Sequence, residues 1–75
     1  MEIENHTESI RAIWLVKCIK YTAEEINKPI IDTAELLNKH GLVEWVLNGY
    51  GSFHTQGYEY MAELLSGTLR EQLEA

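Results

Sequence analysis

The chain has one proline, Pro29, and no glycine before Gly41. Proline removes a backbone donor and glycine adds backbone entropy, so these are the residues that break helices. Their absence leaves the first 28 residues free to form one uninterrupted helix. The stretch "SIRAIWLVKCIKYTAEEI" carries Ala12, Leu15, Val16, Ile19, Ala23 and Ile26 at spacings of 3, 1, 3, 4 and 3. That recurrence is one face of a helix. The helix is predicted to begin near Asn5–Thr7. There Asn5 and Glu8 have capping-box spacing, and Glu2, Glu4 and Glu8 suit the positive end of a helix dipole. Pro29 is predicted to end it.

A second set of residues complicates this helix. Successive residues turn by about 100°, which puts Ile10, Trp14, Lys17 and Tyr21 on the side roughly opposite the apolar stripe. Either the helix is central in a small bundle and is covered on two sides, or Trp14 and Tyr21 belong to an interface, where aromatic residues are enriched.

The next helix is read from Asp32, with Glu35 three residues on, to His40, and its apolar edge is Ala34, Leu36 and Leu37. Gly41 has the place of a left-handed C′ residue, followed by Leu42 as the apolar residue that closes such an end. A short third helix, "LVEWVLN", presents Val43, Val46 and Leu47 with Trp45 to one side, and stops at Asn48-Gly49. A last helix from about Tyr58 to Glu74 carries Tyr58, Met61, Ala62, Leu65, Leu69 and Leu73 on one stripe. Short connections and no alternating strand pattern make this an all-α chain: a small compact bundle of about four helices. It is read as a single domain over 1–75, frayed over 1–5.

Size and charge narrow the function classes. At 75 residues the chain has room for one core, and a chain this short buries only about 60% of its unfolded surface. Cys18, the single cysteine, has no intrachain partner; inside an apolar run it is expected to behave as a small buried hydrophobe in a reducing compartment. The start "MEIENHTESI" lacks the basic and apolar regions of a signal peptide, and no apolar run reaches membrane-span length. A cytoplasmic location is therefore expected, with no membrane partner. Twelve acidic against six basic residues give a formal charge of −6. Phosphate contacts dominate nucleic-acid affinity, so direct nucleic-acid binding is disfavoured. The acids serve solubility or face a basic partner. The segment "DTAELLNKHGLVEWVL" has the outline of a helix-turn-helix, but its second helix opens Leu42-Val43-Glu44-Trp45, apolar and acidic where base-reading side chains would stand.

The corner "GYGSFHTQGYEYM", Gly49–Met61, is the most unusual composition in the chain. Thr55 is placed to cap the last helix by accepting an N–H from Gly57 or Tyr58, and His54 to orient the turn through a ring nitrogen. A catalytic role for His54 would need a nucleophile or polarised partner at fixed spacing, and none is apparent. His6, His40, His54 and Cys18 show no close metal-ligand spacing. No catalytic residue, metal or cofactor is therefore expected. Tyr50, Phe53, Tyr58 and Tyr60, with Trp45 just ahead, make a ring cluster suited to protein binding or to filling a bundle corner; Gly49 and Gly51 would leave Tyr50 on a flexible corner.

The order "ELLNKHGLVEWVLNGYGSFHTQGYEYM" resembles a family of short bacterial and archaeal proteins of unknown function. Its members share a Lys/Tyr/His-Gly helix end, an aromatic near Tyr50 and an apolar-His-Thr-Gln/Met-Gly motif. The similarity covers Ile10 to about Leu65. Phe53 stands where leucine is usual, and the acidic patch after the motif is reduced to Glu59 and Glu63. Such proteins are often encoded beside a larger protein resembling an ADP-ribosyltransferase, an arrangement of toxin and antitoxin. The resemblance implies a small helical partner that restrains a toxin.

The expectation is a non-enzymatic protein-binding module, antitoxin-like, with partner contacts from Trp14, Tyr21, Trp45, Tyr50, Phe53, His54, Thr55, Gln56 and Tyr58. The alternative is a self-associating structural or regulatory domain, a homodimer through the Trp14 and Tyr21 side of the first helix.

Overall fold

The computed structural model describes the backbone of residues 2–74 and the side chains of residues 9–73. Among the described residues five helices follow one another: α1 (Glu2–Ile26), α2 (Ile30–Lys39), α3 (Leu42–Asn48), α4 (Tyr50–Phe53) and α5 (Tyr58–Glu74). The all-α expectation holds, and among the described residues there is no strand. The count differs from four because one helical turn, α4, forms inside the ring-rich corner. At 1.5 Å per residue α1 is about 37 Å long. It sets the long axis of a body measuring 43 × 22 × 20 Å.

The helix ends are built differently from the sequence expectation at two places. The backbone of α1 is helical from Glu2, so Asn5–Thr7 lie inside the helix and do not start it. The capping contacts expected of Asn5 and Glu8 lie outside the described side chains. At the other end Asn27, not Pro29, stops α1. Asn27 adopts φ 59°, the Lys28 N–H donates to the Ala23 carbonyl at 3.0 Å, and the Asn27 N–H donates to Glu24 at 3.3 Å. That pair of bonds is a Schellman motif, with asparagine in the left-handed position that glycine more often fills. Pro29 instead opens α2. Its extended backbone (ψ 152°) is the N-cap, and its carbonyl accepts both the Thr33 N–H at 3.0 Å and the Thr33 hydroxyl at 2.9 Å. Asp32 therefore sits within the first turn, where its charge suits the dipole, and makes no capping box. The Gly41 turn is as expected: φ is 73°, and Leu42 is buried behind it.

One apolar cluster joins the helices: Trp14, Cys18 and Ile19 from α1, Leu37 from α2, Leu42 and Val46 from α3, and Met61, Leu65 and Leu69 from α5. The α1 stripe is rotated from the one predicted. Trp14, Cys18 and Thr22, three positions four apart, form its deepest line with Ile19 and Ala23 beside them, while Ala12 is exposed and Val16 is 57% exposed. In α5 the predicted stripe holds through Leu69, but Leu73 is 60% exposed. The principal contact in the bundle is α1 with α5. Small residues are buried on both helices: Cys18, Thr22 and Ala23 on one, Ala62 and Ser66 on the other. Each buried hydroxyl is satisfied within its own helix, Thr22 by the Cys18 carbonyl at 2.7 Å and Ser66 by the Ala62 carbonyl. No polar atom there needs a partner across the seam.

The chain order of contacts gives the direction. Trp14 meets Tyr50, Tyr21 meets Tyr58, and Ile26 shares a groove with Leu69 and Leu73, so α5 runs parallel to α1. The segment from α2 to α4 returns the chain to the level of Trp14, and the ring-rich corner is where α5 starts its parallel course.

Candidate binding face

The corner is held by local bonds. The Gly49 carbonyl accepts N–H groups from Ser52 at 3.0 Å and Phe53 at 2.8 Å, closing α4 directly onto the end of α3. Gly49 has a packing reason. A β-carbon there would lie 2.6 Å from Cε2 of Phe53, closer than van der Waals contact allows, so the Phe53 ring occupies space that only glycine leaves free. Tyr50 thus begins a helix with its ring half-buried, and the flexible corner expected of it is not formed.

His54 orients the turn as predicted. Its Nδ1 lies 2.6 Å from the Tyr50 carbonyl oxygen, which also accepts the His54 N–H at 2.9 Å. A carbonyl only accepts, so Nδ1 carries the proton, and in the neutral ring Nε2 is left as an acceptor. The imidazole stacks on the Tyr50 ring, centroids 4.6 Å apart and planes 13° apart. Both of these interactions position the turn. Thr55 does not cap α5; its hydroxyl donates backwards to the Ser52 carbonyl at 2.8 Å. Gln56 is exposed, and its backbone N–H closes the turn onto Phe53 at 2.9 Å.

Five of the nine predicted residues come together on one face. Trp14 packs edge-on against Tyr50, 5.0 Å and 87°, and Tyr21 stacks on Tyr58, 5.3 Å and 23°. Ile10, Ile13, Trp14, Tyr50, His54 and Tyr58 line an open groove of ≈ 300 Å³. Trp14 is 7% exposed, so its main role is in the core, and it is not the free interface anchor expected. Tyr21, at 37% exposed, remains available. Trp45 and Phe53 form a separate pair at 5.2 Å between α3 and α4, outside that groove. Thr55 and Gln56 do not reach it either.

Some of this face was not anticipated. Ile13 is 57% exposed on its rim. The Arg11 guanidinium lies 5.1 Å from the Tyr50 centroid and the Lys17 ammonium 5.9 Å from that of Tyr58, within cation–π range. Beyond the Tyr21–Tyr58 stack, a second groove of ≈ 340 Å³ is lined by Tyr21, Glu24, Glu25, Glu59, Ala62 and Glu63. Glu24 and Glu25 follow Tyr21 by three and four residues, the helical step that places neighbours on one flank. That spacing was the available signal.

Residues 13–72 match a family described as protein of unknown function (DUF3791). The chain belongs to that family. The matched span takes in the Tyr21–Tyr58 stack, the His54 turn and both grooves apart from Ile10. No curated protein and no solved structure matches the chain.

Proposed function

We propose that the chain is a non-catalytic protein-binding module, the antitoxin-like partner that neutralises an ADP-ribosyltransferase-like toxin. The observation that carries the binding reading is the continuous face of rings along the α1–α5 edge. Tyr21, Tyr50 and Tyr58 are partly open, prearranged by stacking, and bordered by the exposed Ile10 and Ile13. Rings fixed by their neighbours lose little entropy when a partner covers them, which is what an interface anchor needs. The bond from His54 Nδ1–H to the Tyr50 carbonyl supports the same role, since it spends the ring on holding Tyr50 in place. The toxin as partner rests on the family resemblance in gene arrangement.

Co-expression with the product of the adjacent gene tests this. The expected result is a complex that survives gel filtration and relieves growth arrest, and a Tyr21→Ala/Tyr58→Ala double variant that folds but loses both. A folded chain that neither binds that product nor relieves arrest contradicts it.

Self-association is a second reading, favoured by one observation: Ile10, Ile13 and Val16 are 42%, 57% and 57% exposed along the outer side of α1. Light scattering at low micromolar concentration separates the two. A monomer argues against obligate pairing.

A further inference from the structure

We infer that the partner element this face takes is a helix of about four turns, apolar at one end and basic at the other. The inference rests on the protein-binding reading above and specifies the chemistry of the occupant. The two grooves adjoin at the Tyr21–Tyr58 stack, Tyr58 lining the first and Tyr21 the second, and end to end they make one track. Along α1 the track runs from Ile10 to Glu25, sixteen residues or about 22 Å at helical rise. A trough of that length between two helices, apolar over its first half, is a setting in which a third helix docks.

Charge fixes which way the occupant's chemistry runs. The α1 start of the track is apolar, with Ile10, Ile13, Trp14 and Tyr50, and its nearby charges are the cations Arg11 and Lys17 held over the rings. The far end is lined by four exposed carboxylates, Glu24, Glu25, Glu59 and Glu63, and no basic side chain lines that groove among the described residues. A uniformly basic segment would meet Arg11 and Lys17, and a uniformly apolar one would desolvate four carboxylates without pairing them. Leucine-type residues against Ile10, Ile13 and Tyr50, with two or three Lys or Arg among the glutamates, satisfy both ends. Nucleic acid has the wrong sign for the acidic end, and a second copy would have to present Lys17 and Lys20 to the partner's glutamates.

The test uses the full chain and two synthetic 16-residue helical peptides, one with leucines in its first half and lysines in its second, the other with those lysines replaced by glutamates. Binding is read by titration calorimetry and by amide NMR shifts. The lysine peptide is expected to bind, with shifts confined to 10–25, 50–54 and 58–63. The glutamate peptide is expected to bind at least roughly tenfold more weakly. A Glu24→Gln/Glu25→Gln/Glu59→Gln/Glu63→Gln variant, altered only at exposed positions, should keep its helical signal and bind the lysine peptide roughly tenfold more weakly. Equal binding of both peptides, or an unaffected quadruple variant, overturns the inference. So does a free chain that is dimeric and becomes monomeric in the quadruple variant, which would make a second copy the occupant. If the adjacent-gene product still binds the wild-type chain while the peptide result is negative, the binding-module reading survives and only the helix assignment falls.

Discussion

The two edges of α1 are built from different materials. Its inner edge, Trp14, Cys18, Thr22 and Ala23, has one large ring at the top and small side chains below, all buried, with the polar atom of Thr22 bonded inside its own helix. Its outer flank, Ile10, Ile13, Lys17, Tyr21 and Glu24, is large, mixed in polarity and open to solvent. The inner edge lets α5 settle alongside in parallel. The outer flank is left open by the other helices, and it touches them only at its margin, where Tyr21 stacks on Tyr58 and Lys17 lies over the same ring. The contrast separates residues that hold the fold from residues that present a surface.

Trp14 is the sharpest point of the comparison, because it lies at the top of the inner edge and also touches the groove. Trp14→Ala should cost about 3–5 kcal/mol, as expected for a buried ring, read as a large drop in the urea midpoint. In a 75-residue chain that is a large share of total stability. Tyr21→Ala should cost about 1 kcal/mol or less, since Tyr21 is 37% exposed, while abolishing partner binding. Reversed effects at these two positions would break the distinction.

Cys18 sharpens it by pH. Burial raises its thiol from 9.0 to about 11. Below pH 9 both folded and unfolded chains hold the proton and stability is unaffected. Between about 9 and 11 the unfolded chain releases it first, so stability falls with rising pH, by about 2–3 kcal/mol over that window. The measurement is the difference between wild type and Cys18→Ala, whose curve should lack this component. A native thiol that reacts with a disulfide reagent as fast as a free one would contradict the buried edge.

The glycines give the smallest effects. Gly49→Ala must displace the Phe53 ring from Trp45, at a cost of about 1 kcal/mol and with a change in Trp45 fluorescence. Gly51→Ala, with open space at its β-carbon, should be neutral or stabilising by a few tenths of a kcal/mol. Equal costs at the two positions would remove the packing reason for Gly49.

The sequence carried the helical class, the left-handed Gly41, the burial of Cys18 and most of the α5 stripe, because each rests on a local rule. The rotation of α1 was hidden because apolar residues surround that helix, so periodicity had no single answer. Thr22, Thr33 and Ser66 were hidden because a hydroxyl bonded to the carbonyl four residues back can be buried cheaply, and composition shows only that it is polar. Asn27 went unread beside Pro29, since either can stop a helix and only the backbone angle tells which does. On the candidate face, the rings were visible in the sequence; the joining of Glu24 and Glu25 to Glu59 and Glu63 depends on the parallel course of α5, which no local pattern encodes.

Two exposed isoleucine pairs allow the most direct test of the claim that the ring-lined flank is the binding surface. Ile10 and Ile13 border the groove at 42% and 57% exposure, and Ile30 and Ile31 at the start of α2 are at least as open, at 46% and 72%, but do not line it. With isoleucine methyl groups labelled and the adjacent-gene product added, cross-saturation NMR should attenuate the Ile10 and Ile13 signals and leave Ile30 and Ile31 unchanged. Attenuation of Ile30 and Ile31 with Ile10 and Ile13 untouched would place the interface elsewhere and contradict the account.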